Sequence, residues 1–227
     1  MKLSVVIPCF NEKETIEKIV EKVISSQLNL EKEIIIIDDG STDGTREILE
    51  NSIEKLVSKV VYLHQNKGKG NAINKALKIA TGDLLIIQDA DLEYDPNDYN
   101  VLVTPLLNKQ ADVVYGSRLL NKSWYEQFFV FQYLGNRFLT MLSNFMTGLK
   151  LTDMETCYKV LPRDIYTKLN IEEAAFGIEP EITAKLAKLG ARICEREITY
   201  SSRKYKQGKK ITWKDGISAI RCVFKYS

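Results

Sequence analysis

Ile34-Ile35-Ile36-Ile37-Asp38-Asp39-Gly40-Ser41-Thr42-Asp43-Gly44 is the stretch whose reading decides the fold. Four successive β-branched apolar residues with no polar alternation describe a strand buried on both faces, as in parallel sheets. The Asp, Gly and Ser cluster that follows carries turn and cap chemistry. Upstream, residues 3–7 form a second apolar run ended by Pro8, and Ile16, Ile19, Val20, Val23 and Ile24 keep helical spacing between the two runs. Downstream, Ile48, Leu49, Ile53 and Leu56 predict a helix, 60–63 a strand, and Ala72, Ile73, Ala76, Leu77 and Ala80 another helix. A strand at 84–87, a helix opened by Pro96 and a strand at 113–115 continue the series. Such alternation implies right-handed crossovers, hence an α/β fold with a doubly wound, mostly parallel sheet and helices on both faces.

Beyond Arg118 the pattern loosens. One or two amphipathic, aromatic-rich helices are expected over 124–149, a strand over 157–161, and a helix from Pro180 to Leu189 with Gly190 as its cap. A strand over 192–200, a basic loop over 201–210 and a last helix over 213–224 complete the chain. No repeat or linker interrupts it, so one domain over 1–227 is expected.

A chain of 227 residues can bury a large core without a disulfide or metal staple. Its formal net charge of +2 carries no nucleic-acid signature, and 44% hydrophobic residues exclude disorder. A single histidine, His64, excludes two-His metal sites; its place at a strand end reads as structural. Cys9, Cys157, Cys194 and Cys222 lie far apart, which reads as reduced thiols in a cytoplasmic protein. No leader and no span of about 20 apolar residues is legible, so a soluble or peripheral protein is expected.

In a doubly wound sheet, ligands bind beyond the carboxyl ends of the strands, where strand order reverses. Polar residues gather after four strands: Pro8-Cys9-Phe10-Asn11-Glu12, Asp38 to Gly44, Asp89-Ala90-Asp91-Leu92-Glu93 and Gly116-Ser117-Arg118. Asp89 and Asp91 can hold a hard cation, Mg²⁺ or Mn²⁺, that completes its shell with substrate phosphates and water. A lone D-x-D is more often a solvated turn; its company at this edge reverses those odds. Asp39 is a candidate acceptor for a ribose or base edge, whereas Ser41, Thr42 and Asp43 read as turn and cap residues. Asn66-Lys67-Gly68-Lys69-Gly70 has the look of a phosphate-cradling loop, with Lys69 as its contact, but lacks the spacing of a dinucleotide fingerprint. Arg203, Lys204, Lys206, Lys209 and Lys210 are either a solvated basic loop or a clamp on diphosphate or anionic lipid.

Val5 to Glu12, Ile37-Asp38-Asp39-Gly40-Ser41 and Gln88-Asp89-Ala90-Asp91 together resemble glycosyltransferase family 2, inverting enzymes of GT-A fold. Residues 153–159 are similar to the Asp-x-Thr-x-Gly-Phe-Arg stretch of its dolichyl-phosphate mannose and glucose synthase branch. Arg203 and Lys209 resemble the diphosphate-gripping pair of that branch. Glu93 stands where that branch commonly has Gln, and Cys157 where it has Gly. The resemblance implies a nucleotide-sugar-binding half over 1–118 and an acceptor-side half over 119–227. In it, Pro8, Phe10, Glu12, Ile37 and Asp39 would hold base and ribose, and Asp89, Ala90, Asp91 and Glu93 metal and diphosphate. Arg118 would meet the sugar or the acceptor phosphate. The implied donor is a nucleoside-diphosphate sugar and the implied acceptor a polyprenyl phosphate. The aromatic excess over 124–149 reads either as a surface that meets such an acceptor at a membrane or as ordinary core packing or a dimer contact.

A phosphate acceptor needs no general base; a glycan hydroxyl would, and Glu179 or Glu181 could serve. Two rivals remain: a nucleotidyltransferase, which would want a Gly-rich loop after the first strand, and a non-catalytic nucleotide-sugar-binding scaffold, which would not need Asp89 and Asp91.

Overall fold

The structure, a computed structural model, describes residues 1–120, 130–175, 177–202 and 213–227. Seven strands build one sheet: β1 (Lys2–Cys9), β2 (Glu31–Asp38), β3 (Lys59–Tyr62), β4 (Leu84–Ile87), β5 (Val113–Ser117), β6 (Lys159–Pro162) and β7 (Ile193–Glu197), in the order β3-β2-β1-β4-β6-β5-β7. Every neighbouring pair is parallel except those of β6, which runs antiparallel to β4 and to β5. The helices are α1 (Ile16–Ser25), α2 (Thr45–Ile48), α3 (Lys69–Leu77), α4 (Tyr99–Leu107), α5 (Val130–Thr147), the short α6 (Arg163–Tyr166), α7 (Ile178–Lys188) and α8 (Trp213–Tyr226).

The core follows the sequence pattern. Ile34 to Ile37 and Leu84 to Ile87 are buried throughout, as strands covered on both faces must be. Ile16, Ile19, Val20 and Val23 press α1 onto the sheet, while Ile24, expected on that stripe, is turned outward. The helix expected on Ile48, Leu49, Ile53 and Leu56 loosens after Ile48 into a π-helical turn, Leu49–Ile53. The wider turn rotates Leu56 off the apolar face, and it is exposed. Residues 192–200 do not form one strand: β7 stops at Glu197, and Tyr200 instead bridges Tyr94. The strand expected from 157 starts at Lys159, because the Cys157 N–H donates to the Tyr94 hydroxyl. Gly190 ends α7 at φ +67°, as a cap glycine does. None of the four cysteines is in a disulfide, and His64 is solvent-exposed rather than packed. Among the described residues no helix is long and apolar enough to cross a membrane.

Candidate active site

From β1 the chain steps outward through β2 and β3; β4 then returns to the other flank of β1. Strand order therefore reverses between β1 and β4, and it is in the crevice beyond the carboxyl ends at such a point that doubly wound sheets bind ligands. Phe10 to Glu12 leave β1 on one side of it, and Gln88 to Glu93 leave β4 on the other. At the opposite edge of the sheet the charges pair among themselves, as Arg192 does with Asp112 at 2.9 Å.

Gln88 fixes the exit of β4. It is fully buried, and its Oε1 accepts from the hydroxyls of Tyr99 (2.7 Å) and Tyr158 (2.6 Å) while its amide donates to the Asp89 carbonyl (3.0 Å). The next side chain in the crevice is Asp89, whose Oδ1 lies 2.9 Å from the Lys69 ammonium at the start of α3. Lys69 also reaches Glu179 Oε1, at 3.0 Å, in the first turn of α7. Burial works against charge on Lys69, but Asp89 and Glu179 hold its pKa well above the ordinary value. For Asp89, burial would raise the pKa and Lys69 keeps it lowered. The result is an Asp89–Lys69–Glu179 chain of contacts linking three elements.

Leu92 lies between Asp91 and Glu93 at φ +64°, a conformation unfavourable for a branched residue. Non-glycine residues held this way concentrate at functional sites. Both carboxylates of the turn are tied within it or to Tyr200: Asp91 Oδ1 accepts from the Glu93 N–H at 3.1 Å, and Glu93 Oε2 accepts from the Tyr200 hydroxyl at 2.7 Å. The Ser201 N–H also donates to the Glu93 carbonyl. Among the described residues no three metal-ligating side chains converge. Asp91 with one neighbouring carboxylate suits Mg²⁺ or Mn²⁺, which take one or two protein carboxylates and fill the remaining positions with phosphate oxygens and water.

The sequence profile of glycosyl transferase family 2 matches residues 4–169. The chain belongs to that family. It is 32% identical over 215 residues to an undecaprenyl-phosphate 4-deoxy-4-formamido-L-arabinose transferase of Proteus mirabilis, covering 92% of this chain and 62% of the relative. It is 34% identical over 118 residues to a dolichol-phosphate mannosyltransferase of Pyrococcus furiosus, 52% of this chain and 33% of the relative. The chain thus spans between a third and under two thirds of these curated relatives. Among solved structures it resembles a mannosyl-3-phosphoglycerate synthase from Rubrobacter xylanophilus (TM-score 0.77, 19% identity, 99% of this chain and 73% of the other). It also resembles a glucosyl-3-phosphoglycerate synthase from Mycobacterium tuberculosis, solved with Mn²⁺, UDP and glucosyl-3-phosphoglycerate (TM-score 0.75, 21% identity, 99% and 79%). The architecture is the GT-A fold.

Within this family member, several candidate residues stand differently from what the sequence implied. Ile37 is wholly buried inside β2, so its side chain cannot face a nucleotide. Glu181 is not in the crevice. Its carboxylate is fully buried and accepts from the N–H groups of Glu172 and Glu173 (2.8 Å each) and from Lys185 at 2.6 Å, which makes it an anchor for the chain before α7. Of the two acids weighed as a base, Glu179 is the one that the helix turns toward Asp89 and Lys69. The Arg118 guanidinium grips Asp153 with two 2.7 Å bonds and lies over the Tyr200 ring at 5.2 Å. Pro8 and Phe10 are half-buried at the rim, Ala90 is buried, and Glu12 Oε2 accepts from the Thr15 hydroxyl. Arg203 and Lys209, and Trp124, Tyr125, Phe128 and Phe129 of the aromatic segment, lie outside the described residues.

Asp39 has a structural task that spacing did not reveal. Its carboxylate accepts from the N–H groups of Lys67 (3.1 Å) and Gly68 (2.7 Å), pinning the loop that delivers Lys69. Burial lifts Asp39 above the usual carboxylate pKa, against the pull of those N–H groups. The glycines of that loop are explained by packing rather than phosphate binding. A Cβ on Gly68 would strike the Ala174 carbonyl, and one on Gly70 the Glu173 carbonyl. Gly70→Ala is therefore expected to cost about 1–3 kcal/mol through overpacking. It should lower Tm by several degrees, each kcal/mol being worth about 2–4 °C in a chain of this size. A thermal melt checks this.

Proposed function

We propose that this chain is the catalytic part of an inverting, metal-dependent glycosyltransferase that moves a sugar from a nucleoside-diphosphate donor, GDP- or UDP-linked, to a polyprenyl phosphate. The observation that carries the reading is the carboxylate turn Asp89–Glu93 at the strand-order reversal, coupled through Lys69 to Glu179. A bound Mg²⁺ or Mn²⁺ would be held by Asp91 with Asp89 or Glu93, and would supply positive charge against the departing diphosphate. On the family resemblance, Pro8, Phe10, Glu12 and Asp39, at the carboxyl ends of β1 and β2, would hold base and ribose. Lys69 keeps Asp89 ionised and, through its second contact, ties it to Glu179 before substrate arrives, which is the preorganisation that charge-separating transfer requires. Arg203 and Lys209 are assigned to the donor phosphates on the family resemblance alone.

The acceptor assignment draws on relatives named as polyprenyl-phosphate transferases and on one surface. Leu134, Phe138, Met141 and Phe145 are 50–83% exposed and fall on one face of α5, with Arg137 exposed beside them. Leu139, Thr140 and Ser143 on the opposite face are buried, so core packing accounts for only half of this helix. An apolar stripe flanked by a cation suits the interface of a cytoplasmic membrane. A phosphate monoester, with a second pKa of about 6, is already ionised at neutral pH and needs no base. Glu179 supports a second reading, as the base for a glycan hydroxyl.

The test is transfer of label from GDP- and UDP-sugars to polyprenyl phosphate and to soluble glycan acceptors, paired with flotation on anionic liposomes. Transfer to polyprenyl phosphate is expected, with liposome binding weakened in Phe138→Ser/Phe145→Ser. Transfer only to hydroxyl acceptors, without liposome binding, would replace this reading with the second.

A further inference from the structure

The loop from Asp153 to Cys157 is bolted down at almost every residue. Asp153 holds Arg118, and its N–H donates to Glu195 at 3.0 Å. The Met154 N–H donates to Thr140 Oγ1 at 3.1 Å. Thr156 Oγ1 donates to the Gly116 carbonyl at 2.5 Å, and the carbonyls of Met154 and Thr156 both receive the buried Lys159 ammonium. The Cys157 N–H is held by Tyr94, and its Sγ lies 3.6 Å from the Ile87 carbonyl, the last residue before the Gln88-Asp89 exit. One end of the loop thus abuts Arg118 and the other reaches the Asp89 side of the crevice.

Glu155, at the centre, is the exception. Its Oε1 is buried, yet among the described residues it has no hydrogen-bond partner. Leaving a buried polar group unsatisfied costs about 1–3 kcal/mol, so an orphaned carboxyl oxygen in so thoroughly pinned a loop calls for an explanation. Neighbouring cations do not satisfy it: Lys159 is engaged by backbone carbonyls and sits 4.6 Å over the Tyr115 ring, Arg118 grips Asp153, and Lys69 bridges Asp89 and Glu179.

We infer that Glu155 is a further substrate-binding residue of the transfer site, its Oε1 meeting an oxygen of the acceptor phosphate between Arg118 and Glu179. The inference rests on the polyprenyl-phosphate reading above. Two acceptor oxygens can bond only if one carries a proton, so Glu155 must bind as the neutral acid. Its surroundings favour that form. Burial and then the charge of Glu179 on α7 push its pKa up to about 8, while Lys159 of β6 and Arg118 after β5 pull it down and Asp153 on its own loop raises it further. A neutral carboxyl can donate to an anion where an ionised one would repel it, and it discriminates against acceptors that offer no such oxygen.

The test compares wild type with Glu155→Gln and Glu155→Leu, using a nucleoside-diphosphate sugar and a short polyprenyl phosphate from pH 6 to 9. The amide of Glu155→Gln still donates, so its acceptor KM should stay within about threefold of wild type at pH 7. Wild-type acceptor KM should rise as pH passes about 8, and that rise should vanish in Glu155→Gln. Glu155→Leu should raise acceptor KM tenfold or more, leave donor KM unchanged, and melt no lower than wild type because an unsatisfied buried oxygen is gone. An unchanged acceptor KM in Glu155→Leu, or a melt lower by several degrees, would overturn the inference. So would Glu155→Gln keeping the wild-type pH profile. Failure of wild type to use polyprenyl phosphate at all would remove the acceptor reading and this inference together; transfer by wild type with indifferent variants removes only this inference.

Discussion

Replacing Asp91 by Asn is expected to lower transfer about 10²–10³-fold, the usual effect of removing one preorganised electrostatic contact to a developing charge. The fold should survive. Asp91 is half-exposed, and Asn keeps an Oδ1 to receive the Glu93 N–H that shapes the turn. Substitutions at such positions usually stay within about 0.5 kcal/mol. Wild type in EDTA should behave like the variant, with activity restored by Mn²⁺ or Mg²⁺. Rates at saturating donor, alongside a thermal melt, check both halves. An Asp91→Asn enzyme of normal rate would remove the carboxylate turn from the chemistry.

The largest stability effect is expected at Asp153. This residue is fully buried, and the guanidinium it receives in a two-pronged grip is nearly so. It also accepts from the Arg118 N–H at 3.0 Å. Asp153→Ala strands a buried cation and one backbone N–H, that of Arg118, a loss of about 3–5 kcal/mol. At about 2–4 °C per kcal/mol, Tm should fall by about 6–20 °C. An Arg118→Met/Asp153→Leu double variant, which leaves no charge unpaired, should recover much of that loss. A Tm within two degrees of wild type for Asp153→Ala would mean the pair contributes little to the fold.

What could be read in advance followed from burial and periodicity. The strands at Ile34 to Ile37 and Leu84 to Ile87 were legible because both faces are covered, which leaves no polar position in the run. The clustering of Asp39, Asp89, Asp91 and Arg118 at one edge was legible because parallel strands all end on the same side. Partner choice was not. Asp39 binds backbone N–H groups 28 and 29 residues away, and Arg118 finds Asp153 across 35 residues; spacing along the chain says nothing about either.

That the sequence leaves both Glu179 and Glu181 open at the start of α7 has a simple cause. Residues two apart on a helix point about 200° apart, so only one of Glu179 and Glu181 can face the crevice. Choosing between them required knowing which side of α7 meets Lys69. Ile37 was misplaced because a residue at the end of a buried strand can carry a family motif through its backbone position while its side chain serves the core. The positive φ of Leu92 and the unsatisfied oxygen of Glu155 are properties of packed geometry with no trace in composition.

The most direct measurement is calorimetric titration of the protein with GDP and UDP, with and without Mn²⁺, beside the Asp91→Asn variant. A crevice that serves as the donor site should bind one of the two diphosphates in the presence of Mn²⁺ at least tenfold more tightly than in EDTA, and Asp91→Asn should erase the difference. No binding of either nucleotide under any condition, or equal affinity in wild type and variant with and without metal, would contradict the account.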